Sequence, residues 1–397
     1  MAMPLDDPTE VLLAADRLPP TARDRECERL AQALIDSGTV PAWEVPADGV
    51  DRAVGICADM YWRRRHLAVP SVTTARDCAE WVWRQVHPAA REAVCERWAL
   101  GYAFITRNTV DSASDLASAT ATLVIDAGTP FVPYFCLLYH SGKLRTNFAP
   151  HELLLVLDQS PLAVAAAAYT TAPVITALRA FAAFLTGDDA AALGHLDTAW
   201  DHPERTRATI DICLHGIWAA RSGLRHGPLL RDRAVQAVAA YPRDAVFHAR
   251  LAAGLRLVGA HEAALDTIDQ ALRLLPAHGA RSSHNLLQDQ LLRERELIVA
   301  GHTLTASISG QQPSPDGEPA GLIHRYQVFL AVTVIVGIAA VCTAGGGALL
   351  LTAGELSLPK RMAGAFMLML SAGVIVSLLL VGNRMLRTDH KGEPEDD

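Results

Sequence analysis

Two long runs of uncharged, mostly apolar residues near the C-terminus limit what this chain can fold into more than any other feature. They cover residues 328–354 and 362–382, and neither contains an Asp, Glu, Lys or Arg residue. Because an α-helix rises about 1.5 Å per residue, roughly 20 residues cross a hydrocarbon layer about 30 Å thick. The connecting segment 355–361 is too short for a domain. The sequence therefore predicts two transmembrane helices within residues 326–386, with a lipid bilayer as one partner.

Basic residues beside these runs predict the orientation of the hairpin. The side shared by both termini carries Arg325, Arg384, Arg387 and Lys391, whereas the connecting segment carries Lys360 and Arg361. Positive charge favours the cytoplasmic side of a membrane. We therefore expect a multi-pass protein of the inner membrane, with both termini in the cytoplasm and a disordered acidic tail over residues 387–397. The N-terminus lacks the pattern of a signal peptide, which agrees with this orientation.

Small residues recur at helical spacing within both runs. They are Ala340, Ala344 and Ala348 in the first run and Gly373 and Ser377 in the second. Faces of this kind let two helices approach closely in lipid. Two interpretations stay open: the two helices of one hairpin pack through these faces, or several copies of the chain form a homo-oligomer through them.

Composition excludes some classes of function. The formal net charge is -8, which argues against a nucleic-acid partner because such surfaces need clustered Lys and Arg. The seven cysteines are spread singly, which favours buried thiols in a reducing compartment. The heavy use of alanine and arginine is typical of a GC-rich bacterial genome. No catalytic motif is present, and the spacing of His and Cys predicts no metal site. We therefore expect neither an enzyme nor a bound cofactor.

Residues 1–300 predict an all-α region. Helices are expected at about 21–37, 50–67, 73–86, 88–106, 152–158, 162–186, 189–200, 204–222, 229–240, 244–258, 262–275 and 283–299. The best candidate for a strand, residues 129–140, contains two prolines and is interpreted as a buried turn and helix. Residues 1–160 are assigned to an N-terminal helical domain. Residues 301–325, rich in Gly, Ser, Gln and Pro, are expected to form a flexible linker.

Residues 244–276 carry the most informative pattern of this region. The first predicted helix holds a large-small-large set, Leu251, Ala252 and Leu255. The second holds small or branched residues at its packing positions, Ala264, Ile268 and Ala271. Gly259 lies at the turn, and Pro276 follows Pro242 at about the 34-residue period of a known repeat. This segment resembles a tetratricopeptide repeat, although His248 stands where that family usually has a bulky aromatic residue.

The resemblance implies an α-solenoid-like helical repeat domain over residues 161–300. A weaker likeness begins near Pro173, with Gly187 at its turn, and the helix over 283–299 would cap the stack. Unrelated helical hairpins with similar small-residue packing remain the alternative. Tetratricopeptide proteins bind peptides or helices in the groove lined by the first helix of each repeat. By this likeness the residues that face a protein or peptide partner would be Val246, Ala249, Ala253 and Arg256.

Three other groups of residues suggest sites, and each also has a plain structural interpretation. Asp211 and His215 lie four residues apart on one helical face and could share a metal, as could His195 with a distant partner. Ordinary core or surface residues are the other interpretation. The basic cluster 62–66 is either a solvated helix end or a contact for an acidic partner or lipid headgroups. Tryptophans concentrated in the first hundred residues indicate either core packing or a patch for a partner.

Two functions follow from these features. The first is a membrane-tethered scaffold that binds a partner protein at the cytoplasmic face of a bacterial membrane. The alternative is an effector of a bacterial defence system, in which the two transmembrane helices permeabilise the membrane when the cytoplasmic sensor domain is triggered. An enzyme with an unfamiliar site is a third and weaker hypothesis.

Overall fold

The described part of the chain is all-α, as the sequence predicts. The structure is a computed structural model, which describes residues 7–109, 129–220, 225–275 and 281–310. Those residues contain no β-strand, only an isolated parallel bridge between Val45 and Val86. Both uncharged runs, the connecting segment and the acidic tail lie outside the described residues. Among the helices that are described, none has the length and apolar character needed to cross a membrane.

The helices follow one another through short turns. In chain order they are α1 (Pro8–Ala15), α2 (Pro20–Ser37), α3 (Ala53–Ala68), α4 (Val72–Gln85), α5 (Pro88–Ile105), α6 (Phe131–Thr146), α7 (Pro150–Gln159), α8 (Pro161–Ala165), α9 (Pro173–Thr186), α10 (Asp189–Trp200), α11 (Arg207–Ala219), α12 (Gly227–Ala240), α13 (Ala245–Leu257), α14 (His261–Arg273) and α15 (Arg281–Gly310). Many begin at a proline, which needs no hydrogen bond for its nitrogen there. Others begin after a capping side chain, such as Ser71 before α4 and Asp244 before α13.

Helix α6 lies at the centre of the fold. It contacts α4, α5, α7, α8 and α9, and every side chain from Phe131 to Arg145 is buried. Even Lys143 is buried; its Nζ donates to the carbonyl oxygens of Thr109 at 2.6 Å and Pro70 at 3.2 Å. Residues 131–140 are therefore helical, which confirms that the strand-like segment is part of a buried helix.

The tryptophans of the N-terminal region are mostly core residues. Trp81 stacks on Trp98 with ring centroids 6.0 Å apart, and the indole N–H of Trp81 donates to the carbonyl oxygen of Pro41 at 2.7 Å. Trp43 and Trp62 are buried as well. Trp83 is the exception, with 38% of its surface exposed and the guanidinium of Arg91 above its ring. Core packing is thus the correct interpretation for four of these five residues.

The alanine-rich segment that suggests one helix over 162–186 is divided into three pieces. Helix α8 ends at Ala165, a 3-10 turn covers Ala167–Tyr169, and α9 begins at Pro173. Pro173 has no backbone N–H to donate to the preceding turn, and its ring clashes with that turn, so the helix is interrupted here. Helix α9 is buried along most of its length, as expected of a core helix.

One hydrophobic core continues through the predicted boundary between residues 160 and 161. It extends from Leu12 in α1 to Ala253 in α13, and residues up to Ser307 form one compact unit. A smaller cluster joins α13, α14 and α15. The N-terminal helices and the array from α9 to α13 therefore share a core instead of folding around separate ones.

Helices α13 and α14 form the hairpin that the sequence pattern predicts. Ala252, Ala264, Ile268 and Ala271 are fully buried, while Leu251 and Leu255 are half-buried. Gly259 lies in the turn with a φ of 81°, a conformation that favours glycine. A Cβ atom on Gly254 would lie 2.6 Å from the backbone nitrogen of Arg231, so glycine lets α12 and α13 approach closely. Pro276 lies outside the described residues.

The predicted linker begins too early. Helix α15 continues to Gly310, so residues 301–310 are helical and not part of a linker. The hydroxyls of Thr303 and Thr305 donate to carbonyl oxygens one turn earlier, each at 2.9 Å. Gly301 also leaves room for the ring of His261, since a Cβ there would lie 2.7 Å from its Cε1 atom. The helix thus continues past Gly301, where it packs against His261, in spite of the weak helix propensity of these residues.

Replacing Ala264 or Ala271 by leucine should lower the free energy of unfolding by about 1–3 kcal/mol. Both side chains are 0% exposed, and extra methylenes in a filled helix interface force strain. Urea unfolding followed by circular dichroism measures the effect. Ala263→Leu is the matched control, because Ala263 is exposed on the same helix and the larger side chain can extend into solvent. Equal stability of all three variants would contradict this packing of α14.

Candidate functional site

The predicted groove residues do not form one open surface. Ala253 is 1% exposed and belongs to the main core. The Nε of Arg256 donates to Glu294 Oε1 on α15 at 2.6 Å, and Val246 and Ala249 are half-buried. The prediction that Ala253 faces a partner is therefore wrong, because core packing takes its side chain. Arg256 is engaged by α15, which packs along the α13–α14 hairpin.

Asp211 lies among arginines and not at a metal site. Arg145 approaches its carboxylate at 3.4 Å. Burial alone would raise the pKa of Asp211, but the guanidinium groups of Arg145, Arg207 and Arg250 hold it below its usual range. These positive groups would repel a cation. Within the described ranges, no group of three or more His, Cys, Asp and Glu side chains is placed to hold a metal ion.

His215 and His195 are likewise placed in ordinary surroundings. Burial, followed by the charges of Arg250 and Arg145, lowers the pKa of His215 well below its usual value. Its ring packs between Phe148, Phe181 and Trp218. His195 is half-buried on α10.

The basic cluster 62–66 does not form one exposed patch. Trp62 and His66 are buried, and the ring of His66 stacks on Tyr102 with centroids 4.4 Å apart. Arg64 extends to α2, where it pairs with Glu28 at 2.8 Å. The six cysteines in the described part of the chain are buried and free, and Cys342 lies outside it.

A cavity that sequence reasoning did not find lies beside the N-terminus of α11. Its volume is about 200 Å³, and it opens to solvent; for comparison, a cavity of roughly 150 Å³ holds benzene. We call it the acidic pocket. It is lined by Glu92, Ala93 and Glu96 of α5, Tyr134 of α6, Ala168 and Tyr169 of the 3-10 turn, Thr171, Ala172 and Pro173 at the start of α9, and His202, Glu204 and Thr206 before α11.

Glu96 is the buried acid of this pocket. Glu96 is only 6% exposed, and its Oε2 accepts a hydrogen bond from the Thr206 hydroxyl at 2.5 Å. Burial raises the pKa of Glu96 to about 7, although the hydrogen bond from Thr206 acts in the opposite direction and lowers it. The nearby charge of Glu92 raises it further. Near neutral pH this carboxyl group is therefore poised between its neutral and charged forms.

Thr206 positions this hydrogen bond because it also caps α11. Its hydroxyl oxygen accepts from the backbone N–H of Thr209 at 3.3 Å, and the hydroxyl of Thr209 accepts in return from the backbone N–H of Thr206. This capping box fixes the side chain of Thr206 at the helix start. The hydroxyl proton remains available for Glu96, 110 residues earlier in the chain.

Two tyrosines form the aromatic wall of the pocket. Tyr134 and Tyr169 stack with ring centroids 4.1 Å apart and an angle of 8° between the planes. Burial, and then the charges of nearby acidic groups, raises the pKa of both phenols, so both are neutral at physiological pH. Tyr134 is almost fully buried, so the accessible part of this wall is the half-buried ring of Tyr169, which lies next to carboxylates.

The sequence signal for this site is weak. Glu92 and Glu96 lie four residues apart, which places them on one face of α5, but such pairs are common on exposed helices. The other wall residues come from distant parts of the chain, and only the tertiary fold joins them. A search of known protein families and of curated proteins finds neither a matching family nor a matching relative for this chain.

Replacing Glu96 by glutamine should stabilise the protein at pH 8 and have little effect at pH 5. The pKa of Glu96 is about 7 in the folded protein and lower in the unfolded chain. Its protonated form therefore stabilises the folded protein at pH values below the unfolded-state pKa, and this stabilisation is lost as the pH rises through 7. At pH 8 the free energy of unfolding of the Glu96→Gln variant should exceed that of the unchanged protein by roughly 2–4 kcal/mol. Glutamine has no such titration, and its amide oxygen can still accept from Thr206.

Urea unfolding at both pH values, followed by tryptophan fluorescence, tests this prediction in the full-length chain. All seven tryptophans lie between residues 43 and 218, so the signal reports on the helical unit. Glu262→Gln, on the exposed surface of α14, is the control and should show no such dependence. A Glu96→Gln variant that is destabilised equally at pH 5 and pH 8 would contradict the assigned role of burial.

Proposed function

We infer that this chain is a membrane-tethered helical scaffold, which holds a partner protein at the cytoplasmic face of a bacterial membrane. One observation carries the proposal: an all-helical unit with an open pocket is followed in the same chain by two uncharged runs, each long enough to cross a bilayer. As a scaffold the protein binds without catalysing a reaction and needs no cofactor. Its termini would both lie in the cytoplasm.

The α13–α14 hairpin supports the proposal that the scaffold contains tetratricopeptide-like helical repeats. Its small buried residues fit the packing that a tetratricopeptide-like unit requires, and α15 covers it as a terminal helix would. Of the four residues assigned to a groove, Val246 and Ala249 keep some exposure. The acidic pocket offers a second and deeper binding surface.

The full-length protein should remain with membranes after alkaline carbonate extraction. The two uncharged runs bury enough apolar surface in lipid to resist removal by high pH, which releases peripheral proteins. Immunoblotting of the pellet and supernatant measures the distribution. A variant that ends at Gly310 serves as the control and should move to the supernatant. Release of the full-length chain by carbonate would contradict the membrane hairpin.

The small-residue faces of both runs favour a second candidate, an effector that permeabilises the membrane. In this alternative the helical unit is a sensor, and its activation assembles the hairpins of several copies through Ala344, Gly373 and their neighbours. Close helix contact then has a function of its own, beyond anchoring. We favour the scaffold, because the runs carry no charged residue that would line a water-filled path.

Exchange of the hairpin for an unrelated two-span anchor distinguishes the two functions. A scaffold should keep its cellular activity after the exchange, whereas an effector should lose it. Ala344→Leu and Gly346→Leu should be neutral in a scaffold and inactivating in an effector, because close helix approach would be lost. Val341→Leu is the matched control in the same run. Dye leakage that depends on Ala344 and Gly346 would overturn the scaffold and establish the effector.

A further inference from the structure

The charge of Glu96 has no cationic partner within the described residues. The other buried glutamate among the described residues provides a comparison. Glu294 is 8% exposed and accepts from Arg256 at 2.6 Å. Glu96 is buried to a similar degree, yet its Oε2 receives only a neutral hydroxyl from Thr206. In the same described part of the chain, no residue donates to its Oε1. A buried carboxylate normally needs an opposite charge.

Arginines that lie near Glu96 or Thr206 along the chain are directed elsewhere. Arg97, the next residue after Glu96, pairs with Asp51 at 2.8 Å. Arg91 lies above the ring of Trp83 at 4.3 Å and donates to the carbonyl oxygen of Val86 at 2.8 Å. Arg205 lies above the ring of Trp200 and donates to the carbonyl oxygen of that residue. Glu92 and Glu204, at the exposed edge of the acidic pocket, also make no ion pair with any described residue. The pocket therefore presents three acids without a countercharge.

The walls of the pocket select among cations. The half-buried ring of Tyr169 provides aromatic surface and is backed by the buried ring of Tyr134, and the volume of about 200 Å³ exceeds what a single small ion would fill. Aromatic rings attract organic cations, and planar guanidinium groups both stack on rings and pair with carboxylates. The combination of buried acid, aromatic wall and open entrance fits a charged group at the end of a chain that enters from solvent.

We propose that the acidic pocket binds an organic cation, a guanidinium or alkylammonium group, which is supplied by a basic side chain of the partner protein. The charged group pairs with Glu96 at the base of the pocket, and its aliphatic stem passes between the tyrosine wall and the exposed carboxylates of Glu92 and Glu204. That the cation comes from a partner protein rests on the proposed scaffold function. The chemistry of the pocket does not depend on it, since the pocket lies in the helical unit.

Binding of a cation should be coupled to release of a proton. The titratable and hydroxyl groups that line the pocket with Glu96 are Glu92 on the same helix, Tyr134 on α6, Tyr169 in the 3-10 turn, and His202, Glu204 and Thr206 before α11. With a pKa of about 7, Glu96 is roughly half protonated at pH 7, and a bound cation favours the charged form. Binding should release roughly half a proton per ligand at pH 7 and should tighten between pH 6 and pH 8.

Isothermal titration calorimetry on the full-length protein in detergent micelles tests the proposal. The probes are Nα-acetylarginine amide and Nα-acetyllysine amide, with the neutral isostere Nα-acetylcitrulline amide as the ligand control. Titrations in two buffers of different ionisation enthalpy at pH 7 give the number of protons released. We expect binding of at least one basic amide, with proton release, and no binding of the citrulline amide.

Substitutions then locate the site. Glu96→Gln should weaken binding about tenfold or more, because a charge-assisted hydrogen bond to a buried partner is lost, and should abolish the proton release. Glu262→Gln should bind as the unchanged protein does. Since Glu96→Gln is expected to stabilise the fold at pH 8, measurement there separates loss of binding from loss of structure.

Three outcomes would overturn the proposal. They are absence of binding for both basic amides, equal binding of the citrulline amide, and unchanged affinity of the Glu96→Gln variant. Tighter binding of free putrescine than of either amide would overturn the assignment to a protein side chain, and would identify a free polyamine as the ligand. None of these results depends on the membrane hairpin, so failure of the pocket and failure of the tether are distinguishable.

Discussion

Complete burial of helix α6 is the constraint on which the rest of the described fold depends. A 16-residue helix with every side chain from Phe131 to Arg145 buried must be covered on all sides, and α4, α5, α7, α8 and α9 provide that cover. The requirement brings α5 next to the 3-10 turn before α9 and places Tyr134 against Tyr169. The acidic pocket is a consequence, since it lies where these surrounding helices meet and leave a gap. The core fixes Glu96 and Tyr134, whereas His202 and Glu204 come from the turn between α10 and α11.

Glu96 illustrates the cost of such a site. Burial disfavours its charged form. Among the described residues, only the hydroxyl of Thr206 donates to it, whereas arginines pair with Asp211 and Glu294 in the same unit. Apolar residues at this position would give a more stable protein near neutral pH. Residues that lower stability and lie in an open cavity often mark a function, since binding recovers the free energy that folding loses. This argument favours a ligand for the pocket independently of any likeness to known families.

The sequence predicted the helical class, the buried helix at 129–140 and the packing positions of the α13–α14 hairpin, because each depends on local periodicity and on small residues at regular spacing. It did not predict where helices break or continue. Pro173 divides the alanine-rich segment because it has no N–H to donate, whereas α15 continues through exposed residues with weak helix propensity. The pocket was not predictable, because Glu96, Tyr134, Tyr169 and Thr206 share no pattern along the chain. Ala253 was misassigned for a related reason: a helix position alone does not reveal which neighbours cover it.

The hydrogen bond between Thr206 and Glu96 also ties together parts of the chain that the sequence assigned to separate domains. Glu96 belongs to the N-terminal helices, and Thr206 caps a helix of the array that follows. Because the pocket draws its walls from both parts, a ligand that binds there contacts both and stabilises their mutual packing by mass action. A ligand in the pocket would thus raise the free energy of unfolding of the whole helical unit, and would not stabilise only the residues that it contacts. A scaffold benefits from this arrangement, since engagement of one side chain of a partner would stabilise the unit that holds the rest of it.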